Sequence, residues 1–578
     1  MFSNKENVNI LTALLTAHGI RHAVVCPGSR NAPIVHNLNE CESIRCVPAT
    51  DERSAGFIAI GMAQATGEPV VVCVTSGTAL LNLAPAVAEA YYQHLPLIVI
   101  SADRPAAWID QLDGQTLPQP GALGRFVRKC VNMPEPTNDT ERWHCNRLVN
   151  EAIAMATYRN GAPVHINVPI TEPLFDFSAD KLPAERTFTI RQADCSKDYL
   201  NVMTEVLATA IKPMIVLGQM KQGAIDNGII RNLSRHAVVL HEALCGNQGA
   251  VHFDEVLYAL GNDATLKPDL IIYAGDTVVS KRLRHFMRKA MAPTYIIKAD
   301  ASEIHDPTMN LRGIIECNNE AEMKRAFSAL AKAFESMAEQ QHIDNGQEEF
   351  REMWHKTISA AEDNAAEYEP KFSQIAVVKY LEEQLEDFPV ECHVHYANSS
   401  AVRLANIYAS HYVWCNRGVN GIEGSLSTAA GFSIATDDNV ICVIGDLSFF
   451  YDQNALWNQS LRGNFRIILL NNHCGGIFHL LHGLEKSDAR DTMVAAGHNT
   501  EAHGICTQND IGYIKATNMT EMQIGMVTLL TRESNRPMLL EVFTDAEDDK
   551  KTLQDYYRRF RQITIKETNE ITTHTNNM

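Results

Sequence analysis

The sequence predicts an α/β protein of three domains, each a mostly parallel sheet flanked by helices. Three observations carry that reading. The chain has 578 residues, and domains usually run to about 100–200 residues. Short β-rich runs alternate with helical stretches along its length, the pattern of βαβ units around a sheet covered on both faces. Hydrophobic residues make up 45% and charged residues 21%, an ordinary composition for a globular protein with ample core.

The first domain is expected at 1–180. Its opening segment, NVNILTALLTAHG, reads as an amphipathic helix with Val8, Leu11, Leu14 and Leu15 on one face and Gly19 as C-cap. Strands follow at AVVCP, CVPAT, VVVCVTS, LIVISAD and VHINVPI, the last bounded by Pro163 and Pro169. Residues 175–200 are polar and irregular and read as a linker. The middle α/β domain, 181–368, has strands at MIVLG, AVVLHE, LIIYAGD and TYIIKAD, then a charged helical stretch over 333–368. The third domain, 369–578, has HVHYANSS, YVWCNRG, VICVIGD, FRIILLNN and PMLLEVF; its last residues, KETNEITTHTNNM, are polar and expected to fray.

Composition excludes several classes. A formal net charge of −19 disfavours a general nucleic-acid binder, whose domains usually carry a basic excess. The 14 cysteines include no C-x-x-C pair, and several, such as Cys73, Cys130 and Cys442, sit in or beside apolar runs as small hydrophobes. A reduced cytoplasmic setting is the expectation. The N-terminus lacks the basic region, long apolar core and cleavage site of a signal peptide. No apolar run approaches the ~18 residues of a membrane helix. Walker A, H-E-x-x-H and G-x-G-x-x-G motifs and 20–50-residue repeats are absent from the sequence.

Ligands of doubly wound sheets bind at the carboxyl ends of strands, which makes the residues at those ends the candidates. VICVIGD ends in Asp446 and IILLNN ends in Asn471-Asn472. The 26 residues from Asp446 to Asn472 (472 − 446) suffice for a helix, read at DQNALWNQSLRG, and the next strand. Adjacent parallel strands would then put both side chains at one sheet edge. A carboxylate, an amide oxygen and nearby carbonyls are hard ligands that suit Mg²⁺ beside phosphate oxygens. Two other readings stand beside this one. Asp446 could cap a helix while the asparagines make a turn, and His473-Cys474 could form a soft-metal site.

The GD(L)S…NN spacing resembles the diphosphate-binding signature of thiamine-diphosphate enzymes. The resemblance implies the fold of that family, with pyrimidine-binding and diphosphate-binding domains around a middle one. It implies Mg²⁺ (or Mn²⁺) held by Asp446, Asn472 and the backbone carbonyl of Cys474, whose thiol would be incidental. Leu447 departs from the pattern, since many members have Gly there. Such enzymes need a carboxyl group facing the aminopyrimidine ring. The stretch 48-PATDERSAGFIAIGMAQATG-67 offers Glu52 at a strand-to-helix junction, ahead of the small residues Ala55, Gly56, Ala59 and Gly61. Read alone, Asp51 or Glu52 would be a helix cap; with the resemblance, Glu52 becomes the catalytic candidate. The site would form between the first domain of one subunit and the third of another, in a homodimer or homotetramer.

Seven loops narrow the resemblance: 26-CPGSRNAPI-34, 75-TSGTALLN-82, 101-SADRP-105, 111-QLDGQT-116, 398-NSSAVR-403, 416-NRGVNGIEG-424 and 475-GGIFHLL-481. Together they resemble the 2-succinyl-5-enolpyruvyl-6-hydroxy-3-cyclohexene-1-carboxylate synthases of menaquinone biosynthesis, nearly end to end in the first and third domains and more loosely in the middle. That family decarboxylates 2-oxoglutarate and adds the succinyl unit to isochorismate. Both substrates are dicarboxylates, and arginine suits their bidentate recognition. This acidic chain places Arg30, Arg104, Arg403 and Arg417 in or beside these loops. The resemblance implies cofactor contacts at Glu52, Ser399, Arg417, Ile422, Asp446, Leu447, Ser448, Asn472 and Ile477. It implies substrate contacts at Ser29, Arg30, Arg104, Gln115, Lys281, Asn398, Arg403, Phe478 and Leu481. Gln115 would position the reacting groups, Ile422 would prop the bent cofactor, and Ile477, Phe478 and Leu481 would form an apolar wall. Gly475-Gly476 would let the chain turn past the diphosphate. The alternative is another thiamine-diphosphate enzyme, acetolactate-synthase-like or a 2-oxoacid decarboxylase, which would act on smaller monoanions.

Overall fold

The computed structural model describes residues 1–188, 190, 198–208, 210–246, 248–340, 345–386 and 391–575. Its strands form three wholly parallel sheets. The first contains β1 (His22–Val25), β2 (Arg45–Pro48), β3 (Val70–Val74), β4 (Leu97–Asp103), β5 (Lys129–Asn132) and β6 (Val164–Pro169), in the order β2-β1-β3-β4-β6-β5. The second contains β7 (Pro213–Leu217), β8 (Val238–His241), β9 (Leu270–Ala274), β10 (Thr294–Lys298) and β11 (Leu311–Glu316), in the order β11-β10-β9-β7-β8. The third contains β12 (Cys392–Tyr396), β13 (Asn439–Gly445), β14 (Phe465–Asn471), β15 (Gly512–Ala516) and β16 (Met538–Phe543), in the order β12-β13-β14-β16-β15. Central strands such as β3, β4 and β14 are buried along their whole length, which is why they read as continuous apolar runs.

The three strands missed by sequence reading, β5, β11 and β15, all lie at sheet edges. Edge strands are half exposed, so KCVN, LRGIIE and GYIKA lack the apolar run of a central strand. YVWCNRG, expected as a strand, makes only an isolated bridge between His395 and Trp414. The helix expected at DQNALWNQSLRG is instead a short helix Asp446–Tyr451 followed by a 3₁₀ turn Gln453–Leu456. The first helix, Glu6–Ala17, is not amphipathic: every residue from Asn7 to Leu15 is buried. Its polar members are satisfied locally, Asn7 to the Pro169 carbonyl and Asn9 to the Ser3 carbonyl. Gly19, at φ +74°, lies one residue beyond the C-cap His18. The C-terminal tail stays helical to Thr575, contrary to the expected fraying, and 576–578 lie outside the described residues. Residues 174–188 are irregular apart from a bridge from Ala179 to Phe2; the rest of the expected linker falls largely outside the described residues. The charged stretch 333–368 is helical on both sides of residues 341–344, which also lie outside them.

Two helices join the first and third sheets. Glu52–Thr66 crosses Ser425–Ala435, and small residues set the spacing. A Cβ on Gly61 would lie 1.9 Å from the Thr428 carbonyl oxygen, and one on Gly431 would lie 2.1 Å from that of Ile58. The backbones therefore touch with no side chain between them. No helix among the described residues is long and apolar enough to cross a membrane, and every described cysteine is a free thiol.

Candidate active site

In the third sheet β13 and β14 are neighbours, with Gly445 opposite Leu470. Asp446 and Asn472 thus leave the same edge side by side, as the spacing predicted. Asp446 is buried, 3% exposed, at the start of the helix Asp446–Tyr451. Its carboxylate accepts the Leu447 N–H at 2.7 Å and the Cys474 N–H at 3.1 Å. Burial pushes its pKa up to about 7, against the pull of these backbone donors. No Lys or Arg pairs with it among the described residues; His498 Nε2 is 3.4 Å away. A buried carboxylate without a cation is a costly state, and a divalent ion at this point would relieve it.

Asn472 completes the fit. Its Nδ2 donates to Asp549 Oδ2 at 3.0 Å, which leaves Oδ1 as the oxygen available to a cation. Asp549 is itself fixed by the Gln374 N–H and the Thr544 hydroxyl, and burial raises its pKa to about 6. Sequence reading missed Asp549; within the acidic run DAEDDK nothing marked it off from its neighbours. The oxygen set of one carboxylate after β13 and of one amide and the Cys474 carbonyl after β14 therefore lies at one edge of the sheet and fits a hard cation.

The soft-metal reading of His473 and Cys474 fails on geometry. The His473 ring packs against Phe543 and His498, with centroids 5.6 and 5.7 Å away. Burial pushes the Cys474 thiol up to about 11. Among the described residues no three His, Cys, Asp or Glu side chains are grouped to hold a metal ion. The strain in the loop falls on His473, at φ +63°, and not on Cys474. Neither Gly475 nor Gly476 adopts positive φ; their lack of a side chain matters for space, since a Cβ on Gly475 would meet the Phe478 ring at 2.9 Å and one on Gly476 the Asn472 amide at 2.6 Å.

The same edge gathers the other third-domain candidates. Ser399, after β12, takes φ +77° and ψ −121° at the N-cap of helix Ser400–Tyr408. Such a conformation costs a non-glycine residue about 1–3 kcal/mol and clusters at functional sites. Asn398 is buried and donates to the Asn416 and Gly421 carbonyls at 2.6 and 2.8 Å. Its Oδ1 accepts from Arg417 Nη1 at 3.0 Å. Half-buried Arg403 reaches only the Val279 carbonyl, at 3.5 Å, which brings the segment before Lys281 to the third domain; Lys281 itself is exposed. Neither Arg403 nor Arg417 forms an ion pair among the described residues, and the Nε of each is buried without a partner. Ser448 is buried, Leu447, Ile477 and Phe478 are half-buried, and Ile422 and Leu481 are exposed. A cavity of about 670 Å³ opens between the three sheets; of the residues singled out only Arg417 lines it.

At the carboxyl edge of the first sheet, the two acids after β2 divide their roles. Asp51 is the N-cap, accepting the Ser54 N–H at 3.2 Å. Glu52 is left half-exposed, accepting from Asn82 Nδ2 at 3.1 Å. Asp51 and Arg53 anchor this junction to the third domain, through Asn454 Nδ2 at 2.8 Å and the Tyr451 carbonyl at 2.8 Å. Ser29 is exposed after β1. Buried Arg30 is engaged by the Ile170 carbonyl at 2.9 Å and by Glu172 at 3.1 Å. Arg104 donates to the Gly114 carbonyl at 3.1 Å, which draws the Gln115 loop back to β4. Gln115 is exposed at φ +58° and packs its backbone on Gly77.

Paired α/β domains with an acid after β2 of one and an oxygen-rich loop between two strands of the other define a thiamine pyrophosphate enzyme. The chain matches the family described as thiamine pyrophosphate enzyme, N-terminal TPP binding domain, over residues 6–121, and its C-terminal TPP binding domain over residues 397–542. The cofactor is thiamine diphosphate. Within that class the chain belongs to the 2-succinyl-5-enolpyruvyl-6-hydroxy-3-cyclohexene-1-carboxylate synthase family. It is 42% identical over 576 residues to the protein of that name from Bacteroides thetaiotaomicron, covering 97% of this chain and 100% of the relative. It is 43% identical over 575 residues to that of Phocaeicola vulgatus, covering 96% and 99%. A Porphyromonas gingivalis protein of the same name is 32% identical over 574 residues, covering 96% and 97%.

Proposed function

We propose that the protein decarboxylates 2-oxoglutarate and joins the remaining succinyl unit to isochorismate, releasing CO₂ and forming 2-succinyl-5-enolpyruvyl-6-hydroxy-3-cyclohexene-1-carboxylate for menaquinone biosynthesis. The observation that carries the choice of substrates is the pair Arg403 and Arg417, cationic, largely withdrawn from water and without an ion-pair partner among the described residues. A site for smaller monoanions has no use for two such groups, whereas a dicarboxylate neutralises them with bidentate hydrogen bonds.

Bound thiamine diphosphate supplies the electron sink for decarboxylation. The residues do the rest. Residues 1–180 take the pyrimidine side, 369–578 the diphosphate side, and 181–368 form the middle domain. Glu52 hydrogen-bonds the aminopyrimidine and sets its tautomer. Asp446, the Asn472 amide oxygen and the Cys474 carbonyl would hold Mg²⁺ or Mn²⁺, and Ser399, Leu447 and Ser448 would contact the cofactor. Ile422, Ile477, Phe478 and Leu481 keep water from the reacting carbon. Ser29, Arg30, Arg104, Lys281, Arg403 and Arg417 bind carboxylates; Asn398, whose two amide hydrogens go to the Asn416 and Gly421 carbonyls, holds Arg417 in place rather than binding substrate directly; and Gln115 orients the acceptor. The site is shared by two subunits. Its support is the half-exposed Glu52, the exposed Leu112, Ile422 and Leu481 on the candidate loops and the exposed Trp108 between two of them, apolar side chains of the kind that a partner covers. The test is turnover with both substrates: coupled product and CO₂ in equal amounts are expected. CO₂ without coupled product would replace this reading with the decarboxylase one.

A further inference from the structure

Two buried glutamates from different domains grip the loop that carries Arg417 and the loop whose Val279 carbonyl meets Arg403. Glu89, 3% exposed, lies on helix Ala84–Tyr92 of the first domain. One of its oxygens accepts the Gly418 N–H at 2.8 Å and the other the Val419 N–H at 2.7 Å; Gln93 Nε2 adds a bond of 2.6 Å. Glu242, 2% exposed, follows β8 in the middle domain. Its oxygens accept the Val279 N–H at 2.6 Å and the Ser280 N–H at 2.7 Å. Gly418 directly follows Arg417, the Val279 carbonyl is the acceptor for Arg403, and Lys281 directly follows Ser280.

The choice of partners is the informative part. A carboxylate close to a guanidinium normally takes it bidentately. Here both oxygens of each glutamate are turned to consecutive backbone N–H groups, and the arginines make only neutral hydrogen bonds among the described residues, Arg417 to Asn398 and Arg403 to the Val279 carbonyl. The negative charges still act at range. Burial raises the pKa of both glutamates, and the charge of Arg417 opposes the rise in each. The fit at Gly418 is close enough to forbid a side chain. A Cβ there would lie 2.9 Å from the Glu89 carbonyl oxygen and 3.1 Å from Glu89 Oε1.

We propose that Glu89 and Glu242 are positioning residues that hold Arg417 and Arg403 so that the guanidinium donors not taken by Asn398 and the Val279 carbonyl meet the distal carboxylate of a dicarboxylate 2-oxo acid. The proposal rests on the reading of these arginines given above. Gln at either position keeps the size but sets an NH₂ against a backbone N–H, so one loop donor loses its acceptor. The experiment compares kcat/KM for 2-oxoglutarate with that for 2-oxovalerate, which has the same chain length without the second carboxylate, at saturating isochorismate. Wild type is expected to prefer 2-oxoglutarate strongly. Glu89→Gln and Glu242→Gln are expected to lower that ratio about tenfold or more, through KM for 2-oxoglutarate, with thiamine diphosphate affinity and Tm retained. A change in folded fraction alone would leave the ratio untouched. Should a Gln variant not fold, Gly418→Ala (for Glu89) and Glu242→Asp serve instead, with the same expected fall. A wild type with the preference and folded variants that keep it would overturn the proposal alone. A wild type with no preference would overturn the substrate reading and the proposal together.

Discussion

The loop after β14 is finished within the chain, whereas the loop after β4 is not. In the first, Asn471 is held by Glu541 and the Thr500 carbonyl, Asn472 by Asp549, and the backbone of Cys474 by Asp446. Its strain at His473 is supported from every side. In the second, Trp108 is 55% exposed and Leu112 fully so, and Gln115 stands in solvent at positive φ. A metal-and-diphosphate site must be preorganised before the ligand arrives, because hard ligands out of register bind weakly. A substrate-facing loop can wait for a second surface to order it. The contrast teaches that the third domain carries a preformed half of the site and the first domain an open half.

The most damaging change expected lies on the open half. Glu52→Gln should lower kcat at least about hundredfold, within the range of a lost acid–base group, while thiamine diphosphate still binds by fluorescence titration. Unchanged turnover would remove Glu52 from the chemistry. On the preformed half, Asp549→Ala should free the Asn472 amide and weaken Mg²⁺ binding about 10–100-fold, the usual cost of losing a group that orients a ligand; calorimetry with metal and cofactor measures it. Equal affinity would mean that the loop does not depend on that hydrogen bond.

The contact between the first and third domains of one chain can be tested by stability. Gly61→Ala must separate two touching backbones and should cost about 1–3 kcal/mol, read from urea unfolding. A further test of stability concerns pH. Asp452, wholly buried, accepts the Ser427 N–H and hydroxyl, and burial raises its pKa to about 7. An unfolded Asp ionises near ~4, so between that value and 7 only the unfolded state gives up this proton. Stability is thus greatest at the acid end and falls as pH rises through the window. Asp452→Asn should flatten that fall; an unchanged slope would assign it to other groups.

Much of this was legible in the sequence. The central strands and the junction of Asp446 with Asn472 follow from apolar runs and spacing, because buried parallel strands and their loop residues leave local signals. Glu52 and Asp51 could not be told apart by type; only the Ser54 N–H, which Asp51 takes, separates them. Edge strands, the early end of the helix after Asp446 and the burial of the first helix depend on what packs against them, which no local pattern records. Asp549, Glu89 and Glu242 were invisible for a stronger reason. Each acts across a long stretch of chain, at separations of 77, 329 and 37 residues, and a lone Glu or Asp in a helix or after a strand looks like any solvated one.

The central claim is that the two halves are joined across subunits, and mixing two inactive variants tests it most directly. Glu52→Gln and Asp446→Ala are each expected to be inactive. Co-refolded in equal amounts, they should regain about a quarter of wild-type activity, since half the random dimers are mixed and each mixed dimer has one intact site. Activity that stays at the level of the separate variants would contradict the account, because it would mean that Glu52 and Asp446 of the same chain serve one site.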